Sequence, residues 1–173
     1  EAWAKKVKPR YGFAVKNIKK TKKGTFLVPD GRETLEYTQI ISTIPIHELV
    51  HILELNIPKK VRQAIKGLVV NPMYIVSLGL KGEDTNKFTA IYFPEQDFLV
   101  NRMSFPKTFS PYNAPKGHYS LQAEITCQAN SSVWRQRDED ILAHVKEGLR
   151  SRGIINAAQS IVYQSVRRSQ YSY

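Results

Sequence analysis

Between Leu68 and Cys127 the chain reads LVVNPMYIVSLGL (68–80), FTAIYF (88–93), LVNRMSF (99–105) and HYSLQAEITC (118–127), four runs rich in β-branched and aromatic residues. Turn signals separate them, among them Lys81-Gly82-Glu83-Asp84 and Ala114-Pro115-Lys116-Gly117, so the stretch predicts four antiparallel strands. On the C-terminal side, Asp138, Glu139 and Asp140 mark the first turn of a helix near 137–151. Ile141, Leu142, Val145 and Leu149 line one face of it, and Arg150, Arg152 and Gly153 close it. A last strand is expected from about Gln159 to Arg167.

On the N-terminal side, residues 12–19, 25–29 and 34–43 read as a β-meander with turns at Lys23-Gly24 and Asp30-Gly31. Its third strand ends in Ile40-Ile41-Ser42-Thr43-Ile44-Pro45, a run typical of a strand buried on both faces. Two short helices follow. Ile46, Leu49, Val50 and Leu53 have helical spacing over 46–55, and Pro58 opens a second helix carrying Val61, Ala64 and Ile65 up to Gly67. Trp3 to Val7 reads as the close of another helix. Strands in runs, with helices between them and not in strict alternation, define an α+β chain: a mostly antiparallel sheet with flanking helices, preceded by the meander.

The 173 residues carry 26 Lys plus Arg against 15 Asp plus Glu, a formal charge of +11, with 42% hydrophobic residues. This excludes a disordered or low-complexity chain and fits one soluble domain or part of a larger protein. The lone Cys127 excludes an intramolecular disulfide framework and a Cys-based zinc site, and makes a reducing, cytoplasmic setting the expectation. No apolar run approaches the roughly 20 residues of a membrane span, and no secretory signal pattern is present. A start at Glu1-Ala2-Trp3 and a polar end at Ser169–Tyr173 lead to the expectation that the chain is cut from something longer.

Two motifs carry competing functions. Residues 1–23 hold nine bases and one acid, which suits a nucleic-acid-binding arm or, more plainly, a solvated hairpin edge whose lysines discourage strand pairing. No RNA-binding aromatic signature or helix-turn-helix spacing accompanies them, and nucleic acid is not expected as a partner. His47-Glu48-Leu49-Val50-His51 matches the zinc-peptidase pattern H-E-x-x-H, in which both imidazoles hold the metal and Glu48 acts on its water. A third ligand is missing from the expected places: Ile52 to Ile57 lack the metzincin Gly and His, and residues 55–78 hold no acid. The expectation is an amphipathic helix with no metal.

The favoured constellation is Ile91-Tyr92-Phe93-Pro94-Glu95, Asn101-Arg102-Met103-Ser104-Phe105 and Phe109-Ser110-Pro111-Tyr112-Asn113-Ala114-Pro115. Arg offers a planar fork to oxyanions and Tyr a hydroxyl on an apolar body, a pairing suited to a phosphorylated or carboxylated ligand. A core strand followed by a Pro-fixed loop explains the same composition.

These segments, with Ile40–Pro45, Arg167-Arg168 and Tyr173, resemble the FAD-dependent amine oxidase and protoporphyrinogen oxidase superfamily, and within it the UDP-galactopyranose mutase-like flavoproteins. The resemblance implies that Arg102 grips the diphosphate of a nucleotide sugar and that the hydroxyls of Tyr92 and Tyr173 contact the same group. Phe109 stands where the mutases have a Tyr, which takes away one such contact and leaves open a related sugar nucleotide or another substrate oxidised by the flavin. No two of the nine glycines form a G-x-G, the turn that the superfamily uses for the FAD pyrophosphate. The resemblance therefore implies FAD in the full-length protein and none bound to this fragment. Residues 1–44 are expected to flank the FAD domain, and residues 45–173 to form a substrate-binding domain for a small molecule. On this expectation the whole protein is an oxidoreductase or mutase and the fragment alone is inactive; no catalytic residue is assigned.

Overall fold

The computed structural model describes residues 6–84, 87–156 and 158–172, and the chain divides into two compact units, Glu1–Leu68 and Val69–Tyr173. In the first unit, Gly24 (φ 85°) and Gly31 (φ 95°) adopt the left-handed backbone that the two tight turns require. The Asp30 carboxylate accepts hydrogen bonds from the backbone N–H groups of Glu33 and Arg32, which hold its pKa below the ordinary value. Around these turns β1 (Ile18–Lys20), β2 (Phe26–Pro29) and β3 (Thr34–Tyr37) pair antiparallel. Helix α1 (Ile46–Ile52) opens after Pro45 and ends where Leu53 becomes extended. The chain then continues as β4 (Leu53–Glu54), parallel to β1, so the sheet order is β3-β2-β1-β4. Helix α2 (Lys59–Lys66) follows Pro58 and stops at Gly67.

Several expected boundaries move. Residues 12–17 are not strand, and the strand expected over 34–43 ends at Tyr37. The ladder explains the second shift: Thr34 pairs with Pro29 and Tyr37 with Phe26, so β3 reaches the start of β2 and has no further partner among the described residues. Ile40 to Ile44 consequently lie outside any strand, and Ile41 is 94% exposed, which corrects the expectation of a strand buried on both faces. The helix expected over 46–55 gives up its last residues to β4. Lys19 and Lys20 lie on β1, between β2 and β4 and not at a sheet edge, and Lys19 has Glu54 as its partner. Residues 3–5 of the expected first helix lie outside the described residues.

The second unit is a five-stranded sheet in the order β6-β7-β8-β5-β9, antiparallel throughout: β5 (Met73–Lys81), β6 (Ala90–Tyr92), β7 (Arg102–Ser104), β8 (His118–Thr126) and β9 (Ile161–Ser169). Successive side chains of a strand point to opposite faces. Tyr74, Val76, Leu78 and Leu80 of β5 and Tyr119, Leu121, Ala123 and Ile125 of β8 all fall on one face. They form the core with Phe98, Val100, Met103 and Phe105 and with Ile141, Val145 and Leu149. The last three lie on α4 (Asp138–Ser151), which matches the helix expected there; α3 (Pro106–Phe109) is a single turn after β7. The Tyr74 hydroxyl lies 2.9–3.2 Å from the carbonyls of Val133, Trp134 and Gln136, tying β5 to the segment before α4.

The connection from β6 to β7 docks on α4. Gly148 leaves room for the Phe98 ring, Arg152 stacks over that ring at 4.3 Å and pairs with Asp97 at 3.0 Å, and the Leu99 N–H donates to His144 Nε2 at 3.1 Å. Burial, reinforced by the Arg152 charge and opposed by Asp97, holds the His144 pKa below its ordinary 6.5. The unfolded chain then binds more protons than the folded one between the lowered value and 6.5, so stability falls as pH drops through that interval. Denaturant melts from pH 7.5 down to 5.5 are expected to show this decline, and to show less of it in His144→Gln, which keeps an acceptor for Leu99 but does not titrate.

Candidate functional site

The face of the sheet opposite α4 is polar. In register across it stand Tyr92 on β6, Arg102 on β7, Glu124 on β8, Ile75 on β5 and Arg167 on β9. Directly paired residues project to the same side, so these side chains form one row. Arg102 Nη1 donates to Glu124 Oε1 at 2.7 Å, with side-chain exposures of 28% and 11%, and the guanidinium carbon lies 5.9 Å from the Tyr92 ring centroid. Tyr92 itself is 71% exposed.

The next row holds Ala90, Ser104, Gln122, Ser77 and Ser165, and beyond it come Ser120, Gly79 and Tyr163. A Cβ on Gly79 would stand 3.0 Å from the Tyr163 Cβ, so glycine lets Tyr163 lie close across this part of the sheet. The ladder shifts register here, between Gly79 and Leu80. A cavity of about 670 Å³ opens over these residues, lined by Ser77, Gly79, Ser120, Gln122 and Tyr163 and walled by Pro106 and Asn113–Pro115. That wall is tied down locally: Asn113 Nδ2 donates to the Pro106 carbonyl at 2.8 Å, and the Tyr112 N–H donates to Ser110 Oγ. Phe109 and Tyr112 on it are exposed.

Chemically the face offers guanidinium groups for an oxyanion and a field of hydroxyls and one amide for a polyhydroxylated ligand. Of the residues singled out from the sequence, Tyr92 and Arg102 are brought side by side, while Tyr173 lies outside the described residues. Glu124, Gln122, Ser77 and Ser165 were not foreseen as site residues. Their signal is present in β8, where Ser120, Gln122 and Glu124 alternate with Tyr119, Leu121, Ala123 and Ile125, the pattern of a strand with one polar face.

The two competing motifs find no support. His47, Glu48 and His51 sit on α1, in the first unit, with Glu48 and His51 exposed, and no group of three or more His, Cys, Asp or Glu among the described residues could hold a metal ion. Part of the N-terminal basic charge is matched locally, Arg10 by an ion pair with Glu33. No described helix is long and apolar enough to cross a membrane.

No family model matches the sequence, and neither does any curated protein. The fold, however, recurs in solved structures. A reduced UDP-galactopyranose mutase superposes with a TM-score of 0.72 at 22% identity, over 98% of this chain and 37% of that one. An oxidoreductase from Methanosarcina mazei gives 0.63 at 13% identity, over 91% and 37%. Putrescine oxidase bound to putrescine gives 0.61 at 15% identity, over 88% and 33%. The chain thus has an α+β fold common to parts of these enzymes, and spans about a third of the length of each.

Proposed function

We propose that these residues are the substrate-binding middle of an FAD-dependent oxidoreductase or UDP-galactopyranose mutase-like flavoenzyme acting on a nucleotide sugar or a similar anionic small molecule. The observation that carries this reading is the placement of Tyr92 and Arg102 side by side on the polar face of a sheet whose other face is packed as core. Arg102, and on the same row Arg167, supply positive charge for a phosphate-type group, Tyr92 supplies a hydroxyl and an aromatic surface, and Ser77, Gln122 and Ser165 suit sugar hydroxyls. Tyr173 is proposed as a further contact to the anionic group.

The flavin's own binding is proposed to lie outside these residues. The four described helices open on Pro45, Pro58, Phe105 and Arg137, and none on the glycine turn that lets backbone approach a dinucleotide pyrophosphate. Among the described residues these helix starts do not fit the pyrophosphate of FAD. Within the whole protein, residues 1–44 are proposed to flank the flavin domain and this sheet to bind and orient the substrate. The test is to titrate nucleotide sugars into the full chain. Loss of the charge-assisted contact in Arg102→Ala is expected to cost about 1.5–3 kcal/mol of binding, whereas unchanged affinity would remove Arg102 from the site.

A further inference from the structure

Among the described residues Glu124 is the one charged residue that is buried, and its carboxylate is bonded directly to the guanidinium proposed to meet the ligand. Any oxyanion drawn to Arg102 therefore comes close to a fixed negative charge. Like charges near a partly enclosed surface repel more strongly than in bulk water. The row as a whole holds two cations, Arg102 and Arg167, against this one anion. From this geometry we infer that Glu124 is a positioning residue with a second effect on the ligand: it anchors one nitrogen of the Arg102 guanidinium, and its charge holds down the affinity for the oxyanion. Arg102 is then shared between Glu124 and the ligand, and the bound anion is released more readily than from an unopposed arginine.

The inference rests on the proposal that Arg102 contacts the anionic group, and the experiment separates the two. Inorganic pyrophosphate is titrated calorimetrically into the full chain at low, fixed salt, for the parent, Glu124→Gln, Glu124→Asp, Arg102→Ala and the Arg102→Ala/Glu124→Gln pair. Glu124→Gln keeps an oxygen that accepts from Arg102 and removes the charge, so it is expected to bind pyrophosphate on the order of tenfold more tightly. Glu124→Asp keeps the charge and is expected to show no gain. The gain is expected to vanish when Arg102 is absent, because the two residues act as one unit. Unchanged or weaker binding in Glu124→Gln, with Arg102→Ala still weakened, overturns the role of Glu124. Pyrophosphate affinity untouched by Arg102→Ala overturns the assignment of the site itself. Should the Gln variant fail to melt cooperatively, Glu124→Met repeats the measurement with an uncharged side chain of similar volume, and the same tightening is expected.

Discussion

Phe105→Ala is expected to destabilise the second unit by about 3–5 kcal/mol, the usual cost of emptying a fully enclosed phenylalanine site in a core that cannot collapse around it. The number follows from the brevity of β7. Only Arg102, Met103 and Ser104 make up this strand, and Arg102 and Ser104 face the polar side, so its attachment to the core depends on Met103 and on Phe105 just beyond its end, both wholly buried. The Phe105 backbone N–H also donates to the Thr89 carbonyl at 3.0 Å, linking the β6 side to the same point. Urea denaturation of parent and variant measures the loss as a lowered midpoint. A shift below about 1 kcal/mol would show that the site refills and that β7 is held by its ladder alone.

Gly148→Ala is expected to lower stability by roughly 3 kcal/mol, against the propensity scale, which favours alanine over glycine inside a helix by about 1 kcal/mol. The steric conflict decides the sign: the new Cβ would stand 2.2 Å from Cε2 and 2.6 Å from Cδ2 of Phe98. That ring has no easy escape, since Phe93 meets it edge-on at 5.1 Å and Arg152 covers it at 4.3 Å. The strain would reach the site as well, because Phe98 belongs to the connection between Tyr92 and Arg102. Combining Gly148→Ala with Phe98→Leu is expected to recover part of the loss, a non-additivity that thermal melts of the four proteins resolve. Purely additive losses would mean that Gly148 is needed for another reason.

How much of this was legible in the chain differs from element to element. The existence of β5 to β9 and of α4 was legible because their signals are local: β-branched runs bounded by Gly and Pro, acids in the first helical turn, an apolar stripe, although β5, β6 and β7 start later than these runs suggest. Ile40–Pro45 has the same local look of a buried strand, yet its fate depended on a ladder that ends at the Phe26–Tyr37 pair. Likewise Leu53 and Glu54 read as helix and became strand, because their partners, Ile18 and Lys19, lie far back in the chain.

The candidate site shows the same division. Residue type drew attention to the segments that hold Tyr92 and Arg102, a phenol and a planar cation at strand positions, and the resemblance to flavoproteins singled out the two residues within them. The sequence by itself determined the class of fold, its strands and main helix, and the chemistry available at these two positions. Only the tertiary structure decided that Glu124 stands beside Arg102, that Arg167 shares their row, and that Gly79 brings Tyr163 over the cavity. The physical reason is that secondary-structure preference acts over a few neighbouring residues. Register is set by backbone hydrogen bonds between strands distant in the chain, and a slip of one residue would turn every one of these side chains to the other face.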